Sequence, residues 1–432
     1  MSSTPQPVRG TQSLLGEDAD RFHAVVAAFD RVRRLFGFKR IEVPVIEPTA
    51  VFARTIGETT DVVSKEMYSF EDRSGDSITL RPELTAGIAR AYLSEGWQQH
   101  APLKVASWGP AFRYERPQKG RFRQFHQLDA EIIGAGEAQA DVEILSFGAQ
   151  LLAELGIDDG VTLKLNTLGD TESRDAWRAK LIAHFSDADI SPESRDRLQK
   201  NPLRVLDSKD PRDRAAVAGA PAMELTSEAA DFFAKVRDGL DAAGVAYHLD
   251  PHLVRGLDYY RHTAFEFVTD RLGAQGAVIA GGRYDGLMES LGGPHTPAIG
   301  WAAGIERLGM MIEVPQAEKP VISVIPESPV VVGEAQAIAI ALRKTGLAVH
   351  FALRGNSKRR AELAAKEGAE ALLFVRDTPE PQHKLKLIHG SRDEKREMKL
   401  LMDVLGRLPE RYRSVAGTTD VGFAKSQSGP KE

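Results

Sequence analysis

The chain has 432 residues, enough for two or three domains with real cores, and its 42% hydrophobic and 27% charged residues are those of a soluble globular protein. A net charge of -5 excludes a globally basic nucleic-acid binder, so any basic footprint must be local. The absence of cysteine excludes disulfides, thiolate zinc sites and a cysteine nucleophile, and fits a reducing compartment.

"MSSTPQPVRGTQSLL" at the N-terminus lacks the apolar stretch of a signal peptide, and no run approaches the roughly 20 apolar residues of a membrane span. A soluble cytoplasmic protein is therefore expected. Phe22, Val25, Val26, Phe29, Val32 and Phe36 recur at helical spacing, with acids early, Arg33 and Arg34 late, and Gly37 as the stop. "KRIEVPVIEP" reads as a strand ended by proline. "MYSFEDRSGDSITLRPELT" reads as a hairpin turning at Ser74, Gly75 and Asp76, leading into a helix from about Thr85. Residues 112–134 form a second hairpin, and "EAQADVEILSFGAQLLAELGI" is an amphipathic helix closed by Gly156. From Asp170 to Gly244 the text is helical and highly charged, broken at "NPLRVLDSKDPRD", which predicts an inserted helical subdomain. Strands resume in "RHTAFEFVTD" and "GAVIAGGRYDG", and "AIGWAAGIERLGMMIEV" predicts a strand running into a helix. Beyond a linker at "PQAEKP", strand and helix alternate through "VISVIP", "EAQAIAIALRKTG", "AVHFAL", "SKRRAELAAKEG" and "EALLFV", the signature of a small α/β unit with parallel strands. The tail ending "KSQSGPKE" is expected to be frayed.

The second hairpin, "FRYERPQKGRFRQFHQLDAEIIG", carries six cationic side chains, counting His126, and three carboxylates. Side chains alternate across a strand. Trp108, Pro110, Phe112 and Tyr114 therefore share one face of the outgoing strand, and Ser107, Gly109, Ala111, Arg113 and Glu115 the other. On the return strand Phe125, Gln127, Asp129 and Glu131 share a face. A merely solvated face is usually Lys, Glu and Thr. Here Gly109 and Ala111 are expected to clear space beside Arg113, with Gln127 and Glu131 aimed into it, as in a floor with a ligand on it. The loop sets Arg116, Lys119, Arg121 and Arg123 within eight residues, guanidinium forks suited to a triphosphate, a nucleic-acid backbone, or both in turn.

"FRYERPQKGRFRQFHQ" resembles motif 2 of class II aminoacyl-tRNA synthetases, and "AIGWAAGIERLGM" resembles motif 3. "LVRGLDYY" and "GGRYDGL" are similar to two signatures of the histidyl-tRNA synthetase family. "RGTQSLL", "TLRPELTA" and "NPLRVLDSKD" fit it in order and spacing, so the resemblance runs from about residue 8 to 376. Ser13 stands where an acid is common, Leu84 where many members have glycine, and the text beyond Arg376 is unmatched. The resemblance implies an α+β catalytic domain with a six- or seven-stranded antiparallel sheet, a helical insertion and a C-terminal α/β anticodon-binding domain. The implied boundaries are 1–165 and 246–315 for the catalytic domain, 166–245 for the insertion, 321–410 for the anticodon-binding domain and 411–432 for a flexible tail.

The activity it implies is ligation of L-histidine to its tRNA by a homodimer, through a histidyl-adenylate made from ATP with Mg2+, with no tightly bound organic cofactor and no metal held by protein side chains. Arg113 would hold the α-phosphate, with Glu115, Arg121 and Phe125 in the ATP site, Arg307 on the γ-phosphate and Arg255 as a fixed cation near the α-phosphate. Glu83, Thr85 and Gln127 match the ammonium site for histidine; Glu131 and Tyr260, with Tyr259 adjacent, match the imidazole readers. A carboxylate on the ring nitrogen rejects residues that lack the donor. Arg116, Lys119 and Arg123 on the loop, and Arg354, Lys358, Arg359 and Arg360 in the terminal unit, are candidates for RNA phosphates. Two rivals are a catalytically inactive synthetase-like regulatory subunit of histidine biosynthesis and another class II synthetase, such as the prolyl or threonyl enzyme. The chain keeps both the terminal domain and the Arg-Gly-Leu-Asp-Tyr-Tyr string that the regulatory protein tends to lose.

Overall fold

The structure is a computed structural model that describes residues 4–57, 60, 62–206, 208, 210–254, 259–315, 322–377, 384–387, 403, 406 and 407. Arg255, the greater part of the "PQAEKP" linker and the tail 411–432 lie outside the described residues. The chain divides into two compact units, 1–315 and 316–432.

The first unit begins with α1 (Glu17–Leu35), with acids in its first turn, Arg33 and Arg34 in its last, and Val25, Phe29 and Val32 buried. Gly37, at φ 71°, ends it in a conformation that favours glycine. There follow β1 (Lys39–Arg40), β2 (Ile46–Pro48), α2 (Thr49–Ile56), β3 (Tyr68–Glu71) and β4 (Ser77–Leu80). β3 and β4 pair antiparallel in a small sheet with β2, and the Asp72 carboxylate between them accepts the amides of Ser74 and Asp76. Then come α3 (Thr85–Ser94), β5 (Leu103–Phe112), β6 (Gln124–Ile133), α4 (Ala138–Glu154) and β7 (Thr162–Thr167). Four helices follow, α5 (Thr171–Ser186), α6 (Pro192–Lys200), α7 (Arg214–Ala218) and α8 (Ser227–Ala242). The unit closes with β8 (His248–Leu249), β9 (Arg261–Val268), β10 (Ala277–Arg283), α9 (Leu287–Ser290), β11 (Ala298–Gly304) and α10 (Ile305–Gly309).

The main sheet has eight strands in the order β1-β5-β6-β11-β10-β9-β7-β8. From β5 through to β7 every pairing is antiparallel. The expected six- or seven-stranded antiparallel sheet is extended by β1 and β8, which pair in parallel at its edges. β1 is the start of "KRIEVPVIEP", read as one strand, of which only Lys39–Arg40 and Ile46–Pro48 form strands, while β8, two residues long, carries no legible period. One core, with Phe29, Phe147, Phe265 and Trp301, fills one face of the sheet under α1 and α4.

The helical stretch does not stand apart as a subdomain. Val236 and Leu240 of α8 join that same core, while Trp177, Leu181 and Phe185 of α5 share a second core with Leu84 and Ile88 of α3. The turn between α6 and α7 is knotted on buried Asp213. It accepts from the Ser191 amide at 2.6 Å and hydroxyl at 2.9 Å, and from the hydroxyls of Ser194 and Ser208, each at 2.5 Å. Burial alone would raise this carboxyl; the serine hydroxyls and amide outweigh it and bring it to about 2.

The second unit contains β12 (Ile322–Pro326), α11 (Val332–Arg343), β13 (Val349–His350), α12 (Ser357–Lys366), β14 (Ala371–Val375) and β15 (Lys384–Leu387). Its sheet order is β13-β12-β14-β15, with the first two pairings parallel and the last antiparallel. Ile322, Val324, Ile338, Leu342 and Leu373 form its core. Among the described residues, no helix is long and apolar enough to cross a membrane.

Candidate active site

The hairpin β5–β6 places Val105 opposite Glu131, Ser107 opposite Asp129, Gly109 opposite Gln127 and Ala111 opposite Phe125. The alternation therefore puts these residues on one face. Above them lies a cavity of about 460 Å³. It brings together Glu83, Thr85, Gln127, Glu131, Tyr259 and Tyr260 with Arg113, Glu115, Arg121, Phe125 and Arg307. Gly109 serves differently from expectation. The space a side chain would fill there holds the guanidinium of Arg81, which donates to Pro110 O at 2.8 Å and Val43 O at 2.7 Å. Gly109 thus makes room for a buried staple between β4 and β5, not for a ligand.

The acidic part of the cavity is buried and crowded. Glu83 Oε1 accepts the amide of Ala86 at 3.0 Å, just inside α3, and Oε2 accepts the Tyr259 hydroxyl at 3.2 Å. Burial raises the Glu83 carboxyl, against the pull of Arg113, Ala86 and Tyr259. Glu131 Oε2 accepts the Tyr284 hydroxyl at 2.5 Å, and burial pushes this carboxyl up to about 8. Tyr259 lies 4.5 Å from Tyr260 and 5.7 Å from Tyr284, ring centre to ring centre. Carboxylates and phenols held this way form a socket for a small cation with a flat, hydrogen-bonding end.

The basic part is built from the motif 2 loop and α10. Arg113 Nε donates to Pro82 O at 3.0 Å, and its guanidinium sits 5.4 Å from the Phe125 ring. Arg121 pairs with Glu115 at 2.6 Å. Arg307 donates to Gly120 O and Ala277 O, both at 3.1 Å, tying α10 to the loop and to β10. Burial lowers the affinity of Arg307 for its proton, and the nearby cations Arg121 and Arg113 add to this. Mutually repelling guanidiniums in one cavity are relieved by a polyanion. Glu306 fixes the other side of α10 by accepting the His126 amide at 3.0 Å and pairing with its Nδ1 at 2.8 Å.

Among the wall residues that escaped the sequence reading are Tyr284, Gly300, Glu266 and Arg204. Tyr284 lies inside "GGRYDGL" and Gly300 inside "AIGWAAG", so the motifs contained them. Glu266 was visible as the lone acid in the apolar run "TAFEFV". Arg204 comes from the helical stretch, between buried Leu203 and Val205, and is the residue of "NPLRVLDSKD" that lines the wall. The arginine of "GGRYDGL", Arg283, is not in the wall. It is 1% exposed and locked on Asp141, with Ala135 O at 2.9 Å and Asp285 at 3.2 Å.

The candidates for RNA contact divide. Arg116 and Lys119 are exposed, whereas Arg123 is half-buried, with its guanidinium 3.9 Å from the Tyr114 ring and Nε on Glu115 O at 3.2 Å. In the second unit Arg354, Lys358 and Arg359 are exposed. Arg360 departs from expectation: it is 8% exposed, and its Nε donates to Gly355 O at 2.8 Å. The helical period turns it inward from its neighbours. Among the described residues, no cluster of three or more His, Asp or Glu is placed to hold a metal ion.

An antiparallel sheet bearing, on one face, an acidic socket joined to a guanidinium-lined pocket is the catalytic architecture of a class II aminoacyl-tRNA synthetase. The profile of the family described as histidyl-tRNA synthetase matches residues 10–308. A histidine–tRNA ligase of Novosphingobium aromaticivorans is 61% identical over 383 residues, covering 87% of this chain and 91% of the relative. Another, from Rhodospirillum rubrum, is 52% identical over 86% of this chain and 90% of its own length. The structure of apo histidyl-tRNA synthetase from S. aureus superposes with a TM-score of 0.71 at 31% identity, covering 86% of this chain and 91% of that one. The chain belongs to the histidyl-tRNA synthetase family. A Bacillus halodurans structure titled as an ATP phosphoribosyltransferase regulatory subunit/histidyl-tRNA synthetase shares the fold, with a TM-score of 0.64 at 22% identity, over 88% of this chain and 100% of that one.

Proposed function

We propose that this chain ligates L-histidine to its cognate tRNA at the cavity on β5, β6, β10 and β11. In the first step a carboxylate oxygen of histidine attacks the α-phosphorus of ATP, and the bond to pyrophosphate breaks. The nucleophile is already ionised, so the protein must position and neutralise rather than deprotonate. Arg113 takes the α-phosphate, Arg307 the γ-phosphate, and Glu115, Arg121 and Phe125 the rest of the nucleotide. Arg255 is assigned to the α-phosphate from the Arg-Gly-Leu-Asp-Tyr-Tyr string alone. Glu83, Thr85 and Gln127 accept the ammonium, and Glu131, Tyr259 and Tyr260 read the ring. In the second step the terminal hydroxyl of the tRNA attacks the activated carbonyl and AMP leaves. Mg2+ arrives with ATP as part of the substrate. We assign RNA contact to Arg116 and Lys119 on the loop and to Arg354, Lys358 and Arg359 in the second unit, which we read as the anticodon-binding domain, and we take the working form to be a cytoplasmic homodimer.

The observation that carries this reading is the joining of buried Glu83 and Glu131 to Arg113, Arg121 and Arg307 in one cavity. The regulatory alternative is less supported, because relatives at 52–61% identity carry the ligase name. Histidine-dependent exchange of pyrophosphate into ATP tests it. Robust exchange with histidine and none with proline or threonine is expected; no exchange by a folded protein would leave the regulatory reading.

A further inference from the structure

Asp129 is 0% exposed on the face of β6 that also carries Gln127 and Glu131, yet it is not part of the cavity wall. Thr85 stands between, its hydroxyl donating to Asp129 Oδ2 at 3.3 Å. Asp129 Oδ1 and Gln127 Oε1 are both buried and accept no hydrogen bond from an N–H or hydroxyl among the described residues. Across the sheet Asp129 faces Ser107 on β5 and Ala302 on β11, neither a cation. The charged and titratable groups acting on this patch are Glu131 on the same strand, Glu83 beside Thr85, Tyr259, Tyr260 and Tyr284, and the cations Arg81 and Arg113. Both cations are already donating to backbone carbonyls, Arg81 to Pro110 and Val43 and Arg113 to Pro82.

Buried carboxyls crowded together cannot all ionise without a compensating cation. Burial, then Glu131 and Glu83, raise the Asp129 carboxyl well above the carboxylate range, and Asp129 and Glu131 are close enough to share a hydrogen bond. A proton held among them removes that cost while the socket is empty. An ammonium brought against Glu83, Thr85 and Gln127 supplies the missing charge.

We propose that Asp129 is a positioning residue for the substrate ammonium, acting through Thr85, and that the Glu83–Asp129–Glu131 cluster releases a proton to solvent as the ammonium enters. The inference rests on the reading of Glu83, Thr85 and Gln127 as the ammonium site. The ammonium keeps its own protons. The proton that leaves is one shared by the Asp129 and Glu131 carboxyls, and buffer takes it up. The ionised Asp129 then holds the Thr85 O–H, which leaves the Thr85 lone pairs to accept from the ammonium.

Isothermal titration of L-histidine into the full chain without ATP, at about pH 7.5 in HEPES and in Tris, reads the proton directly. The apparent enthalpy should differ between the buffers by the ionisation heat of about half a proton or more. Asp129→Asn should abolish the buffer dependence and weaken histidine about tenfold, as expected for one charge-assisted hydrogen bond. Thr85→Val should weaken binding similarly, and Thr85→Ser should restore it. Buffer-independent heat in the unmodified protein, or buffer dependence unchanged in Asp129→Asn, overturns the proposal. If Glu83→Gln and Thr85→Val bind histidine normally, the ammonium site itself has been misplaced. If those two weaken binding while the Asp129 and buffer arms show nothing, only the role of Asp129 fails.

Discussion

Gly300 on β11 faces Glu131 on β6, and a Cβ on Gly300 would overlap Glu131 Oε2. The missing side chain is what leaves room for the carboxylate and for its 2.5 Å hydrogen bond from Tyr284. On the other side Gly300 pairs with Gly282, where a Cβ would press on the Tyr260 ring. The two glycines are thus backing for the side chains assigned to the histidine ring rather than turn residues.

Gly300→Ala should therefore act as a substitution of the histidine site although nothing polar is removed. Displacing Glu131 costs about 2–3 kcal/mol, the range of a charge-assisted hydrogen bond. The specificity constant for histidine in pyrophosphate exchange should fall about 30- to 150-fold. The KM for ATP should stay within a few-fold, and an equally large rise in the KM for ATP would mean that the whole sheet had shifted.

Glu131 also ties binding to stability. Its carboxyl sits at about 8 in the folded chain, against an ordinary value of 4.5. The folded state therefore holds this proton more tightly than the unfolded chain. Its contribution is complete below the unfolded value and is lost as pH rises towards about 8. Melting of the ligand-free protein should decline between about pH 5 and 8, and Glu131→Gln should flatten that decline, melting about 2–4 °C higher at the alkaline end. The same variant should lose most histidine activation. Identical pH slopes in the two proteins would show that Glu131 is already ionised when the site is empty.

How far the site was legible depends on the kind of residue. Gln127 and Glu131 were singled out because period-two alternation and the quoted motifs both point at them, and Glu83 by the motif "TLRPELTA" alone. Burial sense was harder. Arg283 and Tyr284 are adjacent in "GGRYDGL", yet one is a structural lock and the other a wall of the cavity. Arg359 and Arg360 look interchangeable in sequence, and only the helix phase of α12 separates an exposed cation from a buried one. The short parallel edge strands β1 and β8, and the merging of the α5–α8 stretch into the main cores, were set by tertiary packing that local pattern does not encode.

The Arg283–Asp141 pair gives a prediction of another kind. Both side chains are essentially inaccessible, at 1% and 0%, and the guanidinium lies 5.2 Å from the Phe232 ring of α8. Asp141→Ala leaves a buried cation with half its partners and should destabilise the first unit by about 3–5 kcal/mol in denaturant unfolding. The double replacement Asp141→Leu with Arg283→Met should recover most of that loss. If the single and double variants unfold alike, the pair is not what holds β10 to α4.

The last prediction separates the two units. The residues assigned to adenylation that the structure describes all lie in 1–315, and the exposed basic side chains Arg354, Lys358 and Arg359 lie in the second. A chain ending at 315 should still make histidyl-adenylate, as read by pyrophosphate exchange, while charging of tRNA falls steeply. Arg359→Glu in the full chain should be a milder version, shallowing the salt dependence of RNA binding by about one unit of slope. Arg360→Glu should behave differently, since Arg360 is buried with its Nε on Gly355 O at 2.8 Å. Its cost should appear in the folding of the second unit before it appears in RNA binding. The competing view is that the second unit supports the catalytic dimer, in which case truncation would abolish exchange together with charging. Measuring both activities on one truncated preparation, with its oligomeric state checked, decides between them: equal loss of both in a folded dimer would assign the second unit to support of the active site rather than to reading RNA.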